Sequence, residues 1–337
     1  MLRNIKVSCS PHIAAPLSTR SVMIDVIIAL APAMAAACYY FRIYAVILIP
    51  VCVISAVVAE WLCNLILKKP NSLGDFSAVV TGIILALSVP PSLPVWAAII
   101  GSAFSIAIGK MVFGGLGANI FNPAMAGRAF MTASFGMLMT TWTVPATINH
   151  EMPNISAANS TIDTRTQATP LALSKEAIKT KTAAKATNEQ LVAAFTGQIG
   201  GCLGETSALA LLIGGAYLLI RRTINFRISL AVLFSAFVFA NIVYMIDSDT
   251  YISPLVHLTS GGMLLCAFFI ATDPVTAPLT KKGMWIFGIG IGTITMLIRI
   301  VGEYPGGVMY AILLMNAVTP LIDRLCKMRP AGGKPNA

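Results

Sequence analysis

The chain has 337 residues, of which 57% are hydrophobic and 11% charged, with a mean hydropathy of +0.81 and a formal net charge of +10. That balance excludes an ordinary soluble domain, and basic residues scattered between apolar runs, with no stripe of interleaved aromatics, exclude a nucleic-acid-binding surface and leave membrane topology as the meaning of the charge. The seven cysteines (Cys9, Cys38, Cys52, Cys63, Cys202, Cys266, Cys326) form no CxxC pair, so neither a disulfide framework nor a cysteine-held metal site follows.

Crossing about 30 Å of hydrocarbon takes roughly 20 apolar residues, fewer where a helix is broken inside the protein. The first hydrophobic run begins at Val22, behind a polar segment without a small-residue cleavage site, and reads as a first span over 22–41 instead of a removed signal. Further spans are predicted at 43–67, 77–89, 94–113 and 122–142, then at 205–220, 228–246, 256–271, 284–302 and 306–326. The expected fold is an all-α integral membrane protein of about ten transmembrane helices. It divides into an N-terminal five-helix unit (1–142), an extracytoplasmic loop (143–204) and a C-terminal five-helix unit with a cytoplasmic tail (205–337).

With the N-terminus cytoplasmic, 16 of the 23 Lys and Arg residues fall in inner segments, Lys110 and Arg128 among them. The outer side holds Arg42, Arg165, Lys175, Lys179, Lys181, Lys185 and Arg299, five of them in the long loop, where the positive-inside rule has little force. Both termini are therefore expected in the cytoplasm of a bacterial cell and the loop outside its inner membrane.

The halves echo one another. Gly82 begins a short span ended by Pro90 and Pro91, followed by Gly114-Gly115 and Asn122-Pro123. Gly262 begins a short span ended by Asp273-Pro274, followed by Gly306-Gly307, Asn316 and Pro320. Five spans per half require the two copies to be inverted, an architecture that sets broken helices and a site near the bilayer midplane. Chance matching of Gly and Pro, both common in membrane helices, is the alternative.

The loop 143–204 is rich in Thr, Ala, Lys and Ser and reads as a soluble excursion with one amphipathic helix from Ser174 to Phe195. Within it, Asp163-Thr164-Arg165-Thr166-Gln167-Ala168-Thr169 resembles the acceptor pattern Asp-Gly-x-Ser/Thr-Gly-Ala-Thr, at which a flavin transferase attaches FMN to threonine through a phosphoester. Asp163, Thr166, Ala168 and Thr169 match, and Thr164 and Gln167 stand where the pattern has glycines. The resemblance implies Thr169 as the acceptor, and a phosphoester link would leave the isoalloxazine free for redox work.

Three further segments, Gly114 to Phe130, Gly204 to Ser207 and Ala271 to Pro278, together with that motif resemble one family: RnfD, the D component of the Rnf electron-transport complex, and its relative NqrB, the B component of the sodium-pumping NADH:quinone oxidoreductase. The resemblance runs from the first span to the last, and the short N-terminal segment is similar to the Rnf member. It implies a subunit of a redox-driven translocase moving electrons between ferredoxin and NAD and exporting Na+ or H+. Implied partners are the other Rnf components (A, B, C, E and G), with a flavin transferase for maturation. Implied cofactors are covalent FMN and a second, noncovalent riboflavin.

Asn119 and Asn122, in the glycine-rich run between the fourth and fifth spans, carry donors and acceptors suited to the polar edge of an isoalloxazine; capping of the fifth helix is an alternative role compatible with that one. Acids near the membrane are costly unless paired or hydrated. Asp75, Asp273 and Asp323 are candidates for an ion path. Asp25 and Glu60 read better as structural partners of Lys68, Lys69, Lys281, Lys282 or Arg324. His257 reads as a packed polar residue rather than a haem or metal ligand, and Gly109-Lys110 lacks the spacing of a phosphate-binding loop. No residue is predicted to be catalytic in its own right. A nonredox channel or transporter would share the repeats and broken helices but not the Thr169 motif.

Overall fold

The computed structural model describes residues 18–142, 169–180, 192–193, 195–197, 200–248, 250–302 and 306–326. Every regular element among them is helical. The first half comprises α1 (Thr19–Phe41), α2 (Ile43–Ile66), α3 (Ser77–Leu87), α4 (Val95–Ile106), α5 (Pro123–Ser134) and α6 (Gly136–Thr140). Then come α7 (Pro170–Thr180), α8 (Ala208–Ile220), α9 (Phe226–Ile246), α10 (Pro254–Thr259), α11 (Met263–Leu265), α12 (Lys281–Ile300) and α13 (Val308–Leu325). Alpha-helix gives way to a π turn at Ala107–Met111 after α4 and at Cys266–Ile270 after α11.

Five helices, α1, α2, α9, α12 and α13, are long and apolar enough to cross a membrane, and the chain is a membrane protein. They expose large apolar side chains such as Ile54, Trp61, Phe234, Leu297 and Leu321, as a lipid-facing surface requires. The short helix α3 lies inside. Nearly every residue of α3 is buried, so this helix is apolar all round because it touches protein on all sides. Its 11 residues need not match the bilayer thickness, since broken backbone is tolerated where protein surrounds it.

Packing follows the same order in both halves. In the first, α2 lies against α3 and α4, and α4 against α5; in the second, α9 lies against α10 and α12, and α12 against α13. The leading helices, α1 and α8, pack on each other. Gly214 lets α8 approach the backbone of α1 at Ala29, where a Cβ would collide with the Ala29 carbonyl.

The predicted span at 256–271 is interrupted. Its backbone breaks at Ser260 to Gly262, with Gly261 at φ +69°. Arg299 of α12 reaches into the break, donating from Nη1 to the His257 carbonyl at 2.5 Å and from Nη2 to the Ser260 carbonyl at 3.2 Å. It is 3% exposed and belongs to the bundle interior, not to an outer loop. A guanidinium presents a rigid fork of donors, which suits two carbonyls freed together by a helix break.

The segment expected as a soluble excursion is anchored where it is described. Its helix starts at Pro170, four residues before the predicted position, and Leu171 packs with Ile252 and Val256 in a small buried cluster. Ser174 and Lys175 are also buried. Further along, the Tyr40 hydroxyl donates to the Thr196 carbonyl at 2.6 Å. Residues 202–206 then fold against the end of α3, with Leu203 N–H donating to Val89 at 3.1 Å and Gly204 N–H to Leu87 at 2.7 Å.

Candidate functional site

Two cavities open at opposite ends of α5. The first, about 710 Å³ counting space open to solvent, is lined by the N-terminal parts of α1 and α3 and by the turns that carry Lys110, Asn119, Asn122 and Asp273. Asn122 is the N-cap of α5, with Pro123 at the first helical position, and its Oδ1 accepts from Met125 N–H at 3.3 Å. Asn119 accepts from Gly117 N–H at 3.3 Å and donates to the Phe121 carbonyl at 3.1 Å. Each asparagine thus shapes its own loop, and the second amide N–H of Asn119 is left over after these bonds. Capping and cavity lining coexist in Asn122.

Asp273 joins them. Its carboxylate accepts from Val275 N–H at 3.3 Å and from the Thr276 hydroxyl at 3.1 Å, and the Asn122 amide reaches it as well. Burial pushes this carboxyl above the ordinary carboxylate range, while those three donors hold it back. The structure therefore unites Asn119, Asn122 and Asp273, drawn from the two halves of the chain. Asp323 stands apart, accepting from Leu279 N–H at 3.2 Å. Among the described residues neither Asp273 nor Asp323 forms an ion pair.

Asp75 accepts from Ser77 N–H at 2.8 Å and from its hydroxyl at 2.6 Å. Ser77 in turn receives a hydrogen bond from Lys110 Nζ at 2.5 Å, and Lys110 pairs with Glu60 at 2.6 Å. Ser72 donates to the same Glu60 oxygen at 2.5 Å. Lys110 and Glu60 are 1% and 0% exposed, so a full ion pair is sealed between α2 and the π turn after α4.

The partners of Glu60 and Asp25 differ from those expected. Glu60 takes Lys110, and Asp25 takes Arg221 at 3.4 Å with Thr223 and Tyr217 beside it. Helix packing chose them: α2 lies on α4 and α1 on α8, bringing together charges remote in sequence. Lys110 is consequently not an inner-loop charge, and neither is Arg128, which sits within α5. Removing these two and Arg299 from the topology count leaves 14 charges on the expected inner side and 6 on the expected outer side. A basic residue inside a predicted apolar run was the available signal for all three.

The second cavity, about 780 Å³ counted the same way, is lined by Arg128 and Thr132 of α5, Thr169, Glu205, Ser260 and Tyr310 among others. Ala124, on the first cavity, and Thr132, on the second, are roughly 12 Å apart along α5 at 1.5 Å per residue. Arg128 faces Glu205 at 3.9 Å and donates to Cys202 Sγ at 3.3 Å. Thr169 stands at the head of α7, its hydroxyl oxygen accepting from Ala172 N–H at 3.2 Å. A partly buried hydroxyl at a helix N-terminus, on a cavity that also holds a guanidinium, is well placed for an anionic substituent. Asp163, Thr166 and Ala168 lie outside the described residues.

The sequence pattern of the NQR2, RnfD, RnfE family matches residues 6–332. The chain is 47% identical over 332 residues to the D component of the Na(+)-translocating ferredoxin:NAD(+) oxidoreductase complex of Acetobacterium woodii, covering 98% of this chain and 96% of that one. It is 41% identical to the D component of the ion-translocating oxidoreductase complex of Stutzerimonas stutzeri, covering 94% of each. It is 39% identical to the D component of the proton-translocating ferredoxin:NAD(+) oxidoreductase complex of Clostridium ljungdahlii, covering 94% and 93%. Relatives named for different ions thus align over nearly the whole chain.

Proposed function

The chain belongs to the NQR2, RnfD, RnfE family, and from that membership we propose that it is the membrane-embedded D component of an ion-translocating ferredoxin:NAD oxidoreductase complex. In this reading it carries FMN on Thr169 at the outer cavity and riboflavin in the inner one, and its electron transfer is coupled to translocation of Na+ or H+. The matching order of packing in the two halves supports ten membrane segments arranged as two inverted five-helix repeats, with both termini cytoplasmic. The other components of the complex supply the ferredoxin and NAD sites.

The observation that carries the proposal is the placement of Thr169. Thr169 lines a cavity that also holds Arg128, so an anionic phosphoester there would meet a partly buried cation and the N-terminus of α7. The lining of the first cavity also suits the polar edge of a flavin, because the buried amides of Asn119 and Asn122 and the Asp273 carboxylate meet there. Intact-protein mass after expression with and without a flavin transferase tests the assignment. The wild-type chain should gain one FMN-phosphoester increment only with the transferase, and Thr169→Ala should gain none. A flavinylated Thr169→Ala chain overturns the site, and an unmodified wild type favours the nonredox transporter that inverted repeats would equally serve.

A further inference from the structure

The buried Lys110–Glu60 pair is unexplained by packing alone. Replacing such a pair with apolar side chains is commonly neutral or stabilising, yet here it is held beside a buried apolar cluster of Ala56, Ala59, Ala78, Ile106 and Met111. Its geometry is asymmetric. Lys110 and its partner Ser77 line the first cavity together with Asn119, Asn122 and Asp273, whereas Glu60 does not. The Lys110 end of the pair therefore lies at the cavity wall and the Glu60 end lies behind it. Lys110 uses two of its three N–H groups on Glu60 and Ser77, and a third is not engaged by that pair. It also lies on the π turn Ala107–Met111, an uncommon backbone form concentrated at functional sites.

We propose that Lys110 is a positioning residue for the ligand of the inner cavity, presenting an oriented positive charge that favours electron acceptance there, with Glu60 and Ser77 fixing its direction. This rests on the reading that the cavity holds a noncovalent flavin. A ring that gains an electron becomes more negative, and a fixed ammonium in a water-poor site stabilises that form with no reorganisation at the moment of transfer. Asp75, bonded to the far side of Ser77, keeps the hydroxyl lone pair turned toward Lys110.

The test uses the full chain bearing Thr169→Ala, so that only noncovalent flavin is present, purified in nanodiscs and followed by spectroelectrochemical titration. Lys110→Met should shift the flavin potential to more negative values and Glu60→Gln to more positive ones. The double variant Lys110→Met with Glu60→Gln carries no net charge change and should still lie below the parent, because the oriented dipole is gone. A purely structural ion pair would leave the potential of the folded double variant equal to the parent's, and that result overturns the proposal. Absence of any extractable flavin from the parent overturns the inner-flavin reading and this proposal with it; bound flavin with an unmoved potential overturns the proposal alone.

Discussion

Breaking the sealed ion pair one partner at a time should cost far more than removing both. At 2.6 Å and an effective dielectric of 20, the attraction is about 6 kcal/mol, a sum largely offset by the several kcal/mol needed to desolvate each ion. Removing one partner forfeits the attraction while the other ion stays buried, which costs about 3–5 kcal/mol. Here the lower end applies, because Ser72 still donates to Glu60 and Ser77 still accepts from Lys110. Lys110→Met and Glu60→Gln should each destabilise the chain by about 3 kcal/mol, roughly a hundredfold in the folding equilibrium. The double variant should fall within about 1 kcal/mol of wild type, as neutral replacements of buried pairs commonly do. Equilibrium unfolding in mixed micelles of rising dodecyl sulfate content, followed by circular dichroism, measures all four proteins. Additive losses, with the double variant down by about 6 kcal/mol, would refute the reasoning, since they would mean that each residue acts through its own packing and not through the pair.

Asn119→Leu should release riboflavin to extraction while leaving α5 intact, whereas Asn122→Leu should also lose the helix cap, at about 1 kcal/mol; Asn122→Ser, which keeps the cap, separates the two effects, and retention of flavin by both Leu variants in a folded chain removes these residues from the site. If Asp273 and Asp323 serve the ion path, Asp273→Asn and Asp323→Asn in the whole complex should preserve assembly and flavin content but weaken ion uptake into vesicles relative to electron transfer; wild-type coupling in both returns them to the turns they brace. Arg299→Lys should leave one of the carbonyls of the α10–α11 break without its donor, lowering thermal stability by about 1–3 kcal/mol, and an unchanged melting curve would show that the fork is dispensable. Gly204→Ala would place a Cβ 2.7 Å from that of Leu87 and 2.9 Å from its carbonyl oxygen, so a loss of about 1–3 kcal/mol is expected, checked by the same melting assay.

Much of this architecture was legible from the chain alone because lipid imposes a one-dimensional rule. A segment that crosses hydrocarbon must be helical and apolar for a known length, so all ten predicted runs contain helix, with α1 and α2 close to their expected bounds. Local chemistry was legible for the same reason. Asn122-Pro123 is a cap whose partners lie within one turn, and Asp273 braces residues two and three positions on. What the sequence could not decide were contacts made across the bundle. Lys110 and Glu60 are 50 residues apart and Asp25 and Arg221 are 196 apart, and only the packing of α2 on α4 and of α1 on α8 selects those partners over nearer lysines in sequence. The break at Ser260 to Gly262 is signalled by its glycines, but the residue that satisfies the freed carbonyls comes from another helix. The tertiary structure decided these because burial makes an unpaired charge or carbonyl so costly that each must find whichever partner the fold delivers, and delivery depends on distances that no local pattern encodes.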